Sequence, residues 1–190
     1  MNNDNAAALE FLHTHLRRPV VLVGMMGVGK THVGRKLAEK LNMPFKDSDK
    51  IIEQRAGRAV TDIFEQFGEE KFRQAERNAV LEILAGDPCV LATGGGAVLN
   101  AETRKAIKSK SVSVWLNSSV ADILKRIGIA DDRPLLKKGD PETILKALLK
   151  ERAPLYAEAD IHVESRGAHS DETISNLINL LYEHLKEATV

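Results

Sequence analysis

Residues Gly24-Met25-Met26-Gly27-Val28-Gly29-Lys30-Thr31 fit the pattern G-x-x-x-x-G-K-[ST] at every fixed position. In such a loop the glycines admit backbone angles and close approaches that a Cβ would block, so successive N–H groups turn inward on phosphate oxygens. A helix starting at the loop adds its partial positive charge. Gly27, Val28 and Gly29 would supply the backbone of the cradle, Lys30 would reach the β- and γ-phosphates of a nucleotide, and Thr31 would hold Mg²⁺ through its hydroxyl. A glycine turn matching by chance would not need Lys and Thr in register, so nucleotide binding is the stronger reading.

Asp47 and Asp49 come next. In extended backbone, residues two apart point the same way, so one carboxylate could serve Mg²⁺ through water and the other a substrate hydroxyl. Asp-Ser-Asp could equally cap the helix that follows, and both readings stand. Gly94-Gly95-Gly96 exceeds what a bare turn needs and suggests a ligand lying against backbone. No acidic residue ends the strand before it, which shifts metal duty toward Asp47 and Thr31. Arg73, between Phe72 and Gln74, and Arg152, before Ala153-Pro154, each read singly as solvated helix residues. Arg133, before Pro134, stands in an irregular stretch suited to closing over a triphosphate, where paired guanidinium donors are needed. The 6 histidines show no metal-ligand spacing and no nucleophile partner.

These groups need a scaffold, and the periodicity supplies one. Pro19–Val23 is an unbroken apolar run, as in a strand buried on both faces, and His32–Leu41 has Val33, Leu37, Ala38 and Leu41 at helical spacing. Further strands are expected at Met43–Lys46, Cys89–Ala92, Val112–Leu116 and Ile161–Val163. Helices are expected at Ile51–Arg55, Thr61–Ala85 with Thr61 as N-cap and a break at Gly68, 101–109, Val120–Ile127 and Pro141–Glu151. A short helix interrupted at Pro154 should follow over Arg152–Asp160, and Asp171–Leu185 should close the chain. This alternation predicts an α/β fold, a three-layer α/β/α sandwich around a central five-stranded parallel sheet, with ligands at the strands' carboxyl ends. Residues 1–18 read as an N-terminal extension, frayed or lightly docked. Residues 19–187 read as a single domain, with a mobile lid at about 128–140.

Lys plus Arg equals Asp plus Glu at 27 each, so no global field recruits nucleic acid or an anionic membrane. Anion recognition must come from local arginines and lysines. The single cysteine, Cys89, sits in an apolar strand and reads as a small buried residue in a reducing compartment. No stretch approaches a membrane span, and the N-terminus lacks a secretory layout. A soluble, cytoplasmic monomer with small-molecule partners is expected.

Taken in order, the phosphate loop, Asp47-Ser48-Asp49, Gly68-Glu69 with Phe72-Arg73-Gln74-Ala75-Glu76, Gly94-Gly95-Gly96-Ala97-Val98, Arg133-Pro134-Leu135-Leu136 and Arg152-Ala153-Pro154-Leu155-Tyr156 resemble the shikimate kinase family over about residues 19–185. The resemblance implies a P-loop kinase fold of the nucleoside-monophosphate-kinase type. It also implies transfer of the γ-phosphate of ATP to the 3-hydroxyl of shikimate, a step toward chorismate and the aromatic amino acids. By the same resemblance Asp49 binds ring hydroxyls and orients or deprotonates the attacking one. Arg73 and Arg152 clamp the substrate carboxylate, and Gly94, Gly95 and Gly96 floor the ring. Lys30 and Arg133 stabilise the transferring group, Thr31 and Asp47 serve Mg²⁺, Arg126 lies on the adenine, and Arg166 belongs to an adenine-side loop. His32 departs from the family, which often has a second hydroxyl residue there. Asp131 and Asp132 depart by preceding Arg133 with negative charge. Two rival readings are another small-molecule kinase on this scaffold, for gluconate or a nucleoside monophosphate, and a non-catalytic nucleotide switch.

Overall fold

The computed structural model describes residues 3–127, 135–136, 139–165 and 170–189. Arg133, Arg166 and most of the expected lid lie outside these residues. Strands β1 (Val20–Val23), β2 (Phe45–Asp47), β3 (Val90–Ala92), β4 (Val112–Asn117) and β5 (Ile161–Glu164) form one parallel sheet in the order β2-β3-β1-β4-β5. Val21 of the central strand pairs with Leu91 on one side and Ser113 on the other.

The apolar run of β1 is apolar because both its faces are covered. Val20 and Leu22 pack under α1 (Asn3–His15), α2 (Lys30–Leu41) and α8 (Ser170–Thr189). Val21 and Val23 pack under the opposite layer, which includes α4 (Val60–Ile83), α5 (Ala101–Lys110), α6 (Val120–Ile127) and α7 (Pro141–Tyr156). The chain leaves β1 for one face through α2 and leaves β3 for the other through α5. A crevice therefore opens between the carboxyl ends of these two neighbouring strands.

Several elements differ from the sequence expectation. Of the two readings open for the N-terminal extension, frayed or docked, the structure shows a helix docked in full: Ala8 and Leu12 of α1, and Leu16 just after it, join the core on the side of α8. Extended backbone ends at Asp47, so Asp49 lies in the first turn of α3 (Ser48–Ala56) and the two-residue alternation does not govern it. Helix α4 starts one residue before Thr61, with Ala59 at the N-cap, and breaks at Gly68, where φ is 79°. Helix α7 runs unbroken through Pro154 to Tyr156. The proline lacks the N–H that would bond the Lys150 carbonyl, and the turn is held instead by Arg152 and Tyr156, at 3% and 0% exposed, which anchor it in the core. Within the lid stretch, Leu136 is buried against the α4–α7 layer.

Candidate active site

β1 delivers the phosphate loop to the crevice. At Gly24 φ is 137°, and a Cβ there would lie 2.3 Å from the Leu116 carbonyl oxygen at the end of β4, so the loop leaves the strand where a side chain has no room. Trp115 lies against the same glycine and packs its ring 6.1 Å from that of Tyr156. Lys30, the first residue of α2, is buried, and its Nζ donates to the Gly24 and Met25 carbonyls at 2.8 Å each. The ammonium is thus held in the centre of the loop. Arg126 of α6 donates through Nη1 to the Val28 carbonyl (2.8 Å) and through Nη2 to the Ser165 carbonyl (2.9 Å), tying the loop's far side to the end of β5.

β2 brings up the second element. The Asp47 Oδ1 accepts from the Asp49 and Lys50 amides at 3.1 and 3.3 Å, capping α3, while its Oδ2 accepts from the Thr31 hydroxyl at 2.8 Å. Capping and service to the phosphate site are therefore not alternatives, since each uses its own oxygen. Thr31 and Asp47 together offer hard oxygen donors beside the phosphate loop, a set that fits Mg²⁺. They would hold it through the hydroxyl and the carboxylate.

Asp49 faces the other way, toward β3. Its Oδ1 is buried and has no hydrogen-bond partner among the described residues. Burial, then the charges of Glu76 and Asp47, push its pKa up to about 6. At Gly94 a Cβ would fall 2.1 Å from Glu76 Oε1 and 2.8 Å from Asp49 Oδ1, so glycine is what allows two carboxylates to close on this backbone. The Gly94 amide donates to Ser48 Oγ (2.9 Å), which fixes β3's exit to the start of α3.

The arginines converge on the same glycine run. Arg73 of α4 lies against Gly96, donates through Nη1 to Glu76 Oε2 (2.7 Å), and donates through Nη2 to Glu69 (3.1 Å). Its guanidinium carbon lies 5.4 Å from the Phe72 ring centroid and 5.9 Å from that of Phe64. Glu76 is 2% exposed, and burial raises its pKa against the pull of Arg73. Arg152 of α7 reaches the Gly95 carbonyl at 3.4 Å, and its buried Nε has no partner among the described residues. Between these groups lies a cavity of about 460 Å³, lined by Thr31 and Asp47 together with Asp49, Arg73, Glu76 and Arg152.

The structure brings together Lys30, Thr31, Asp47, Asp49, Arg73, Gly94, Gly95, Gly96, Arg152 and, on the outer side of the loop, Arg126. It shows two contributors that sequence reasoning left without a role. Glu76 stands four residues after Phe72, in phase with the apolar stripe, and a carboxylate at a core-phase position is itself a signal. Tyr156 gave no such signal, because a tyrosine at the end of an amphipathic helix reads as ordinary core.

A sequence model of the shikimate kinase family matches residues 26–182. The chain belongs to the shikimate kinase family. It is 44% identical over 168 residues to a shikimate kinase of Brucella canis, covering 88% of this chain and 84% of that protein. It is 43% identical over 185 residues to that of Paramagnetospirillum magneticum, covering 97% and 95%. A shikimate kinase from Acinetobacter baumannii, solved in complex with shikimate, superposes with a TM-score of 0.86 at 37% identity over 92% of this chain and 97% of that one. Family membership makes the chain a P-loop ATP-dependent phosphotransferase. No described helix is long and apolar enough to cross a membrane.

Proposed function

We propose that the cavity seats shikimate beside ATP and that the chain transfers the γ-phosphate to the 3-hydroxyl, giving shikimate 3-phosphate and ADP. The observation that carries this reading is the division of the cavity. Thr31, from the phosphate loop, and Asp47 bring metal-type oxygens to its wall; a carboxylate with an unpartnered oxygen, two guanidinium groups and a glycine floor make up the acceptor set. A polyol acid needs that second set: carboxylate binding by Arg73 and Arg152, hydroxyl binding by Asp49, and a flat floor from Gly94 to Gly96. A base-reading pocket would have no use for two converging arginines, one buried at Arg152 and one half-buried at Arg73.

Asp49, ionised at neutral pH and already desolvated, accepts a hydrogen bond from the attacking hydroxyl and is placed to take its proton. Glu76 holds Arg73 against Gly96, so the guanidinium meets the substrate carboxylate in a fixed orientation. Lys30 sits among the loop carbonyls, ready to share its charge with the phosphates. Thr31 and Asp47 would hold Mg²⁺, which when bound would supply neutralisation of phosphate charge. The family motif gives Arg126 and Arg166 to the adenine and Arg133 to the transferring group. We take the enzyme to work as a monomer in the cytoplasm.

The test is ADP production from MgATP with and without shikimate, beside a Lys30→Ala control. Turnover that depends on shikimate and falls at least about 100-fold in the control supports the reading. A folded, ATP-binding sample with no response to shikimate overturns the substrate assignment.

A further inference from the structure

Tyr156 is completely buried, yet it is a tyrosine and not a phenylalanine. A buried phenol needs a partner for its hydroxyl, and this one donates to the carbonyl oxygen of Gly95, the middle glycine of the substrate floor, 61 residues away in sequence. The same hydroxyl lies 3.6 Å from the sulfur of Met25 in the phosphate loop. From its other side, Gly95 rests on that loop: a Cβ at Gly95 would stand 3.0 Å from the Met26 amide nitrogen. The floor of the acceptor half and the cradle of the donor half therefore meet at Gly95, and one phenolic hydroxyl clamps the junction.

We propose that Tyr156 is a positioning residue for phosphoryl transfer, whose hydroxyl, through the Gly95 carbonyl, sets the separation between the bound acceptor hydroxyl and the phosphate loop. This rests on the assignment of shikimate to the cavity and adds to it a residue that touches neither substrate. Arg152 helps, since its Nη1 reaches the same carbonyl from one helical turn earlier, but at 3.4 Å it is the weaker hold. Burial pushes the Tyr156 pKa up to about 12, so the donor keeps its proton throughout the working range. The ring behind the hydroxyl is braced by Trp115, which makes the position rigid.

In-line transfer is sensitive to sub-ångström placement, whereas binding of each substrate is spread over many contacts. Loss of the clamp therefore acts on rate and not on affinity. Tyr156→Phe removes one oxygen and leaves the ring, so it keeps the packing. The expected result is a fall in kcat of about 10- to 50-fold, with both KM values within about threefold of wild type. Because a loosened acceptor lets water compete for the phosphoryl group, ADP should form in excess over phosphorylated shikimate, where the wild type gives one to one.

Wild-type protein is assayed in parallel. Should it show no shikimate-dependent turnover, the cavity assignment and this proposal fall together. If the wild type turns over and Tyr156→Phe keeps kcat within twofold at a one-to-one product ratio, only this proposal falls. A variant that merely loses thermal stability, with kcat per folded molecule unchanged, also overturns it. A lowered kcat with unchanged KM and an ADP excess, in a variant that melts within a few degrees of wild type, establishes it.

Discussion

The Thr31 hydroxyl donates to Asp47 Oδ2 at 2.8 Å while the other oxygen of the same carboxylate caps α3. One side chain thus joins the phosphate loop to the helix that carries Asp49, and its two jobs can be separated by substitution.

Asn caps helices as well as Asp does, so Asp47→Asn should leave stability within about 0.5 kcal/mol, whereas Asp47→Ala should cost about 1 kcal/mol. Both remove the charge facing Thr31 and should raise the Mg²⁺ concentration needed for half-maximal turnover. Thermal melts beside magnesium titrations of the two variants check this. Equal metal requirements in Asp47→Asn and wild type would remove Asp47 from the metal site.

Asp49 carries a pH signature. Its carboxyl titrates near 3.8 in the unfolded chain and at about 6 in the fold, so between these values the folded state holds more protons and stability falls as pH rises. Above pH 6 the full cost stands, about 3 kcal/mol at 1.36 kcal/mol per unit. Asp49→Asn should therefore be more stable than wild type by about 1–3 kcal/mol at pH 8, equal to it near pH 4, and inactive throughout. In wild type, kcat/KM should rise with pH through an acidic limb near 6. Denaturant melts of the free proteins at both pH values, beside a pH–rate profile, decide it.

Breaking the Arg73–Glu76 pair from its two ends should give different results. Arg73→Ala strands a carboxylate that is 2% exposed and costs stability as well as substrate affinity. Glu76→Gln keeps shape and hydrogen bonding and should spare the fold while freeing the guanidinium to wander. Each should raise the KM for shikimate by about 10- to 100-fold, as should Arg152→Ala, with ATP affinity within about twofold. Direct titration with each substrate measures the two affinities. Joint loss of both would contradict the division of the cavity.

The N-terminal helix also makes a prediction. Leu12 is 1% exposed and packs in the same cluster as Leu22 of β1. Leu12→Ala should therefore cost about 2–4 kcal/mol, comparable to truncating a core strand residue, even though residues 1–18 precede the phosphate loop. A melt within a degree of wild type would show that the extension packs without contributing.

What the sequence made legible follows from how locally each feature is specified. The phosphate loop could be read outright because its geometry is demanded by neighbours within eight positions. The inner strands β1 and β3 were legible because strands buried on both faces must be continuously apolar, whereas the edge strands β2 and β5 carry Lys46, Asp47, His162 and Glu164 and signal more weakly. The two roles of Asp47 could not be chosen between, since a pattern of residue types does not show that a carboxylate has two oxygens to spend. Arg126 illustrates the other limit. Its partners Val28 and Ser165 lie 98 and 39 residues away, and nothing near Arg126 points to either. Resemblance alone picked it out. Gly95 and Tyr156 met the same obstacle, because their contact exists only once α7 has folded over the end of β3.

Trp115 is the chain's single tryptophan, and it packs between the first glycine of the phosphate loop, Tyr156 and His162. The molecule consequently carries one tryptophan fluorophore, which can be excited selectively at the red edge, lodged at the seam between donor and acceptor halves. Its emission should respond to occupation of either half. A spectroscopist can therefore follow the order in which the two substrates arrive on unlabelled protein, in a stopped-flow cell, before any phosphate has moved.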